Sequence, residues 1–588
     1  MFRIFRLSFS QIENSGKYSI FGFSILRILI GLLDLVGIGF VGLILTLALH
    51  SQSPDTKFGS PVLRILNVFK IDDASLIRQL IVLGCITTVL FLLKIVLTLA
   101  VTFAGYRYLV KEEVNISKRI LKSIFSREFV ELQKIESAKV AQLITHGASA
   151  IIRIIGYSIA ISSDLFSLLA LIVLLGFVNP LTMICSVLFF GGVSYLAIHY
   201  TGTATQLLSE RFTFHNLLTT RTIQETYFSY KELAVSGKLE MFENKSIENK
   251  RKSARAIADT QFLGAIPRAV LELSLVLGIV IIIGITWISN PSIESLSTIG
   301  IFLAASSKLI PALANLMASM SAIRLSSGEA QMLFDYLDSE HNLMQGQGRA
   351  RKVTIESSID GSIAGVELIK VLEVSFRYSQ AERLILDKAT LTIAQGDFLL
   401  ISGPSGVGKS TFVDLLLGLL RPSNGSVEIN GINATNFREA NRGSMAYVPQ
   451  FVSVIDSTIF ENVIFGNIPS SETESRVIQA LKDVDLWVFV QSLPMGLQTQ
   501  IGERGATFSG GQRQRLGIAR ALYQGASLIV FDESTNALDT ATEGFVLDTL
   551  SNIRGKTTII IIAHGRGSMG RGHREIAINN GKLFEILK

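Results

Sequence analysis

The chain has 588 residues, of which 48% are hydrophobic and only 17% are charged. Ordinary globular proteins carry about 25% charged residues. A disordered chain needs low hydrophobicity and a high net charge, so that class is excluded. Two cysteines, Cys85 and Cys185, are too few for a disulfide-stabilised secreted fold. The net charge of +6 comes without a basic, aromatic nucleic-acid module, so nucleic acid is not an expected partner.

Apolar residues are concentrated before about residue 325, in stretches long enough to cross a bilayer core, which takes about 20 helical residues. Buried helices of soluble proteins normally keep a polar face, and the stretch from 151 to 178 has almost none. The sequence therefore predicts six membrane-spanning helices. They cover roughly 19–49, 76–106, 150–178, 181–200, 261–288 and 296–321.

Lysine and arginine are concentrated in the segments after the second and fourth of these helices, whereas the turns at 179–180 and 290–294 carry neither. Cytoplasmic loops of membrane proteins carry the excess of basic residues. We therefore expect both basic segments and both termini on the cytoplasmic side of the inner membrane. In the first outside loop, residues 61–69 form either a short amphipathic surface helix or an ordinary connection.

The composition changes after the sixth helix. Residues 336–364 are predicted to be a linker, and from residue 365 short apolar strands alternate with longer helical stretches, which predicts an α/β domain. The expected fold class is a multidomain membrane protein. Its all-α six-helix transmembrane domain, with long cytoplasmic extensions, covers 1–335, and an α/β P-loop NTPase domain covers 365–588.

A phosphate-binding loop follows the apolar run 398–402 and precedes a helical segment. This is the strand-loop-helix context that the G-x-x-x-x-G-K-[ST] pattern requires. Glycines let backbone N–H groups converge on phosphate oxygens, the lysine reaches the β- and γ-phosphates, and the serine ligates Mg²⁺. The residues are Gly403, Pro404, Ser405, Gly406, Val407, Gly408, Lys409 and Ser410, followed by Thr411.

A second apolar strand, 527–531, ends in Asp532 and Glu533. Asp532, at the carboxyl end of the strand, is predicted to hold the Mg²⁺, and Glu533 to act as the general base for the attacking water. The alternative is two solvated acids after a strand. Between the two strands, Phe508 precedes the segment Ser509, Gly510, Gly511 and Gln512.

The order of phosphate loop, Ser-Gly-Gly-Gln segment and Asp-Glu pair resembles the nucleotide-binding domain of ABC transporters. Spanning helices ahead of it in one chain resemble an ABC exporter half-transporter, with ATP and Mg²⁺ as its cofactors. The resemblance implies that Tyr378 stacks on adenine. The alternative is that Tyr378 only packs at the end of a strand. It further implies that Gln450 meets Mg²⁺ and the attacking water, that His564 contacts the γ-phosphate, and that Asp539 couples two ATP sites.

The family also implies an oligomer, because the Ser-Gly-Gly-Gln segment completes the ATP site of the opposite protomer. One chain has a single phosphate loop and a single such segment, so a homodimer is expected ahead of a heterodimer. Three departures from the family stand out. Phe508 replaces a usual leucine, Asn536 replaces a common serine, and residues 565–572 are unusually glycine-rich, which lowers the local order expected after His564.

Charges inside the membrane segments are the best pointer to the cargo, because they are costly and usually functional. Lys94, Arg268 and Lys308, in the second, fifth and sixth helices, would present six positive charges in a dimer and suit a phosphate or pyrophosphate group. Alternatively Arg268 pairs with Glu272, four residues further along the helix. The segments 266–272 and 308–315 resemble those of PglK-type lipid-linked oligosaccharide flippases.

The expected function is therefore an ATP-driven exporter or flippase that moves an anionic, lipid-linked amphiphile, such as a lipid-linked oligosaccharide or polysaccharide precursor, from the cytoplasmic leaflet outward. A drug, lipid or peptide exporter is the alternative within transport. An ATP-gated channel or regulator is the alternative from another class, and a soluble ABC ATPase acting on DNA is excluded by the spanning helices.

Overall fold

A computed structural model describes most of the chain. The described residues are 2–50, 76–178, 180–289, 293–346, 366, 368–378, 383–502, 505, 507–533, 540–552, 555, 557–562 and 573–586. The predicted surface helix at 61–69, His564 and Asp539 lie outside them. The chain divides into two compact units. The first comprises 1–127 and 132–350, and the second comprises 128–131 and 351–588.

The first unit is helical throughout its described part. Its helices are α1 (Phe2–Ser10), α2 (Asn14–His50), α3 (Leu76–Phe125), α4 (Phe129–Gln133, which straddles the division), α5 (Ser137–Gln142), α6 (Ala148–Val178), α7 (Pro180–Phe228), α8 (Tyr230–Val235), α9 (Leu239–Ser289) and α10 (Ile293–Gly346). A π-helical turn, Leu143–Gly147, joins α5 to α6. Helix α10 continues into the segment predicted as the linker.

Helices α3, α7 and α9 are 50, 49 and 51 residues long. At 1.5 Å per residue each measures about 75 Å, more than twice the thickness of a bilayer core. Each therefore extends well beyond a hydrocarbon layer.

By length and composition, five segments within the described helices could cross a membrane. They are Asn14–Leu33, Ile77–Phe125, Ser137–Val173, Leu239–Ile281 and Leu309–Ser339. The predicted fourth span, 181–200, lies in α7 and is not among them. Some of its side chains are outside the described set, so the count of six stays a prediction.

Two hydrophobic clusters hold the first unit together. One packs the start of α6, including Ile151 and Ile154, against Leu333 and Phe334 of α10. The other packs Phe190 of α7 with residues of α6, α9 and α10. The helices bury some apolar side chains against each other and expose other apolar side chains. Such an exposed apolar surface is accommodated better by lipid than by water.

The second unit contains two sheets. Its strands are β1 (Leu368–Phe376), β2 (Leu386–Ala394), β3 (Phe398–Ser402), β4 (Asn424–Ile429), β5 (Ile432–Asn433), β6 (Met445–Val448), β7 (Leu528–Asp532), β8 (Thr558–Ile562), β9 (Arg574–Asn579) and β10 (Lys582–Ile586). An antiparallel sheet has the order β2-β1-β4-β5, and a six-stranded sheet has the order β10-β9-β3-β8-β7-β6.

The helices of this unit are α11 (Lys409–Leu416), α12 (Ala434–Ala440), α13 (Ile459–Ile464), α14 (Thr473–Lys482), α15 (Trp487–Ser492), α16 (Gly510–Gln524) and α17 (Thr540–Asn552). In the six-stranded sheet, β9, β3, β8, β7 and β6 run parallel. Strand β8 is fully buried and β3 and β7 are buried up to their last residue, as expected of parallel strands covered on both faces. Their carboxyl ends lie at one edge of the sheet.

A glycine contact in this unit gives a stability prediction. At Gly418 (φ +64°) an added Cβ would lie 2.5 Å from the carbonyl carbon of Ala434, whereas at Gly431 (φ +78°) it would meet nothing within 4 Å. Gly431→Ala should therefore cost only the left-handed backbone strain, about 1 kcal/mol. Gly418→Ala adds a backbone clash, so we expect it to lower the thermal unfolding temperature of the full chain by about 5 °C more. Equal shifts would contradict the contact.

Candidate functional site

The phosphate loop lies where the sequence predicts it, between β3 and α11. Gly403, Gly406 and Gly408 have φ values of +148°, +74° and +108°, a backbone region that L side chains rarely adopt. A Cβ at Gly408 would also lie against the side chain of Ile385. These glycines therefore let the loop turn its backbone N–H groups inward ahead of the positive end of α11.

Lys409 is 6% exposed, and its ammonium stays inside the curve of the loop. Its Nζ donates to the carbonyl oxygens of Gly403 (2.9 Å) and Pro404 (3.1 Å). A buried cation held by neutral carbonyls, beside inward-facing N–H groups, suits a phosphate chain. The residues present thus fit a bound nucleotide.

Tyr378 lies next to this loop. Its phenol oxygen is 3.2 Å from Thr411 Oγ1 on α11, and its ring packs edge-on against Phe376 with centroids 5.1 Å apart. The structure therefore brings the predicted adenine-stacking residue to the phosphate loop. Its stacking role stays a prediction.

Asp532 ends β7, at the same sheet edge. Its Oδ2 accepts a hydrogen bond of 2.9 Å from the hydroxyl of Tyr447 on β6. Asp414, on α11, is close enough to Asp532 to interact electrostatically. Sequence reasoning missed both Tyr447 and Asp414, and no motif spacing could have found them, since strand pairing and helix packing bring them to Asp532.

The charge of Asp532 affects two titratable groups beside it, Asp414 and Tyr447. Burial, together with the charge of Asp532, raises the pKa of Asp414 to about 6. Burial and the same charge raise the pKa of Tyr447 above its usual value. A bound cation is the natural relief for such a cluster, and carboxylate and hydroxyl oxygens are the ligands that Mg²⁺ prefers. Asp532 and Ser410 are thus suited to hold it.

Glu533 and Gln450 are in contact, although 83 residues separate them. The Gln450 side-chain amide donates to Glu533 Oε2 at 2.8 Å. The backbone of Glu533 is left-handed (φ +49°), and its N–H donates to the carbonyl of Ile562 on β8. The predicted base and the predicted water-positioning amide therefore lie together, one residue beyond Asp532.

Ser509 precedes α16 as its N-cap residue, and its side chain caps the helix. Ser509 Oγ accepts from the backbone N–H of Gln512 (3.2 Å), and Gln512 Oε1 accepts from the N–H of Ser509 (2.8 Å). This reciprocal capping box fixes the helix N-terminus and presents the N–H groups of Gly510 and Gly511. The Ser-x-x-Gln spacing is a capping signal that is visible in the sequence, although this segment was interpreted only as a family motif.

Phe508, the departure from the family pattern, is 4% exposed. Its ring packs edge-on against Phe489, with centroids 5.6 Å apart, and its carbonyl accepts from Arg513 at 2.8 Å. The aromatic side chain therefore faces the core. It leaves the capping serine unobstructed.

The predicted substrate cations are not brought together by the described side chains. Arg268 and Glu272 form an ion pair of 3.0 Å, so the pairing alternative is the arrangement present. Lys94 lies with its ammonium 5.7 Å from the ring centroid of Phe91. Lys308 lies in α10, and its side chain is outside the described set. A shared cavity for the three stays a prediction.

A cavity of about 600 Å³ does lie within the first unit, among α2, α3, α6 and α10. Its wall is mostly apolar, and its charged lining residues are Arg27, Arg153 and Asp164. Arg153 is tied by an ion pair to Glu329 and by a hydrogen bond of 3.2 Å to Ser326. Of the predicted cations, Lys94 and Arg268 are not among the described residues that line this cavity. Arg27 was missed, because it lies near the start of an apolar helix.

A phosphate loop and an acidic strand end at the edge of a parallel sheet, together with a capped Ser-Gly-Gly segment, define a P-loop ATPase. The first unit adds long apolar helices, so the class is a membrane-bound ATPase. Residues 386–536 match the family described as ABC transporter.

Comparison with known proteins assigns the chain to a family. It is 31% identical over 437 residues to the ATP-dependent lipid A-core flippase of Burkholderia orbicola (strain AU 1054), covering 73% of this chain and 70% of that protein. It is 32% identical over 305 residues to the chloroplastic ABC transporter B family member 29 of Arabidopsis thaliana, covering 52% and 46%. The chain belongs to the ABC transporter family.

The fold agrees. A bacterial Atm1-family ABC exporter with ATP bound superposes with a TM-score of 0.68 at 20% identity, covering 97% of this chain and 95% of that one. The chain thus has the fold of that exporter.

Asp414 gives a pH-dependent prediction. An aspartate has a pKa of about 3.9 when unfolded and about 6 here, so the folded state binds the proton more tightly. Stability contributed by protonated Asp414 is present below about pH 4 and is lost as the pH rises to about 6. Asp414→Asn should therefore raise the unfolding temperature at pH 7.5 and change it little at pH 4. The gain in free energy of unfolding at pH 7.5 should be at most about 3 kcal/mol.

The measurement is thermal unfolding of the full chain without nucleotide or Mg²⁺ across this pH range. Asp456→Asn, at an exposed position, is the matched control and should show no such trend. A gain from Asp414→Asn that does not depend on pH would contradict the assignment.

Proposed function

We propose that the protein is a homodimeric, ATP-driven flippase of the cytoplasmic membrane. It moves an anionic amphiphile, such as a lipid-linked oligosaccharide or polysaccharide precursor, from the cytoplasmic leaflet outward. The observation that carries the proposal is the meeting of Lys409, Asp532 and the Gln450–Glu533 pair at one sheet edge, in a chain with a largely apolar membrane cavity. A relative carries the name lipid A-core flippase.

In the ATPase reaction, the loop N–H groups and Lys409 bind the phosphates, and Tyr378 stacks on the adenine. Ser410, Asp532 and Gln450 would hold Mg²⁺, which supplies charge neutralisation when bound. Glu533 accepts a proton from the attacking water, while Gln450, which donates to Glu533 Oε2, orients both. We assign His564 to the γ-phosphate and Asp539 to coupling between the sites.

We infer a dimer because one chain by itself cannot complete an ATP site. The N-terminus of α16, with Ser509, Gly510, Gly511 and Gln512, is built to bind an anion, and each chain offers one such end and one phosphate loop. In a two-fold dimer each surface meets its counterpart on the other copy, which yields two equal sites. A second copy of this chain is therefore the proposed partner, with the lipid as cargo.

Glu533→Gln should separate binding from hydrolysis. The amide keeps the shape of the side chain and cannot accept the proton, so we expect the ATPase rate to fall at least about 100-fold. ATP binding should persist, as measured by retention of a labelled nucleotide. Glu474→Gln, on the exposed face of α14, is the matched control and should leave both unchanged. A Glu533→Gln rate within threefold of wild type would remove Glu533 as the base.

Mixing two inactive variants tests the dimer. Lys409→Ala disables the phosphate loop. Gly510→Asp places a negative charge where the phosphate should dock, at a position where a Cβ meets nothing within 4 Å and an acid suits the helix N-terminus. Co-expression makes about half the dimers mixed, each with one intact site, so about a quarter of wild-type ATPase activity should return. If each chain completes its own site, no activity returns.

Transport is tested in liposomes with lipid-linked sugars, anionic phospholipids and apolar drugs as separate cargoes. ATP should drive movement of the phosphate-bearing lipids in wild type and in Glu474→Gln, but not in Glu533→Gln. Movement of drugs alone would favour a multidrug exporter. A current that needs no turnover and survives Glu533→Gln would favour an ATP-gated channel.

A further inference from the structure

Arg324, on α10, is a half-buried cation without an acidic partner among the residues that the structure describes. Its one hydrogen bond in that set is a long contact, 3.4 Å from Nη1 to the carbonyl oxygen of Ile198 on α7. The nearby acids are engaged elsewhere, since Glu329 binds Arg153 and Glu210 accepts from Gln206. A guanidinium removed from water needs an anion, so this arrangement is incomplete as it stands.

Gly202 on α7 makes room for the guanidinium. A Cβ at that position would lie 2.6 Å from Arg324 Cζ and equally close to its terminal nitrogens. The glycine therefore lets the planar group lie against the backbone of α7, which limits where it can turn.

The guanidinium faces a pocket of about 310 Å³. The polar side chains that line it besides Arg324 include His199, Thr203, Gln206 and Ser327, and its described lining holds no carboxylate. The Ser327 hydroxyl donates to the carbonyl oxygen of Arg324, and the Gln206 amide donates one hydrogen to Glu210. His199, Thr203 and the second amide hydrogen of Gln206 can donate beside the guanidinium, as recognition of a phosphate requires. Arginine recognises phosphate well because its fork can donate two parallel hydrogen bonds.

The depth of the pocket favours a lipid over a soluble anion. His199 lies nineteen residues beyond Pro180, which begins α7, or about 28 Å along the helix. The sequence predicts that a span starts next to Pro180 at the outer surface, and a hydrocarbon core is about 30 Å thick, so the pocket is expected where the head groups of the opposite leaflet begin. Tyr195, 68% exposed and stacked on His199, is the amphipathic ring typical of that level.

We propose that the pocket between Gly202 and Arg324 binds the phosphate group of a membrane lipid in the leaflet facing the basic loops. This deepens the proposed function, on which it rests only for what happens to the lipid after binding. The site is separate from the 600 Å³ cavity, whose arginine Arg153 is already paired with Glu329.

The test is lipid binding to the full chain in detergent, without ATP, measured by titration with dioctanoyl-phosphatidic acid and with dioctanoylglycerol, which lacks the phosphate. Arg324→Gln should weaken binding of the phosphatidic acid about tenfold and leave the glycerolipid unchanged. Arg324→Lys should lose less, because it keeps the charge. Arg251→Gln, an exposed arginine on α9 paired with Glu248, is the matched control and should behave as wild type.

Gly202→Ala guards against a loss of folding in the Arg324 variants. Its Cβ displaces the guanidinium while every charge remains, so it should also weaken the phosphatidic acid and not the glycerolipid. Equal affinities in wild type, Arg324→Gln and Gly202→Ala would overturn the site. Inorganic phosphate that competes as well as the phosphatidic acid, mole for mole, would overturn the lipid assignment. Because no ATP is present, these outcomes are independent of whether the protein flips lipids.

Discussion

The register of β7 between β6 and β8 decides where the chemistry of the second unit lies. Val448 pairs with Phe531, and Asp532 pairs with Ile562, so the segments after three parallel strands start at one level. A slip of one residue would turn Asp532 to the opposite face of the sheet, because successive side chains point to opposite faces. The buried isoleucines of β8, each fully covered, make such a slip costly.

The same edge collects charges of like sign. Asp414 and Asp532 lie near each other, whereas buried Lys409 is held by carbonyl oxygens of its own loop. The folded second unit thus carries a local electrostatic cost, which a ligand with its cation can offset. Functional sites commonly hold such costs, and the large apolar core beneath, from Leu399 to Ile560, supplies the stability that tolerates them.

Much of this site could be predicted because its signals are local. The phosphate loop needs only glycine spacing between a buried strand and a helix, and Asp532 needs only the end of an apolar run. The contact of Tyr447 with Asp532 could not be predicted, because it depends on which strands are neighbours. Glu533 was predicted from its place after an apolar strand and Gln450 from family resemblance, and their contact spans 83 residues of chain.

The helix contacts of the first unit were harder to predict, because their signals are not local in the sequence. A stretch such as 151–178 is apolar all round, so its sequence has no period that says which side faces a neighbour. The pair Arg268–Glu272 was readable, since four residues separate its members on one helix. The grouping of Arg27 with Asp164 was not, because four helices must first be placed around one cavity.

The charged residues of the first unit are of two kinds, those that a neighbouring residue neutralises and those without such a neighbour among the described residues. Arg153, Glu329 and Ser326 join α6 to α10, and His146 lies 3.8 Å from the same carboxylate. Because Glu329 is buried, removing the arginine that neutralises it would be costly, so these residues fix how the two helices pack. Arg324 has no such partner in the described chain and lies on the same helix, facing α7. One helix thus carries an arginine-paired carboxylate that fixes packing and a guanidinium that has no acidic partner among the described residues.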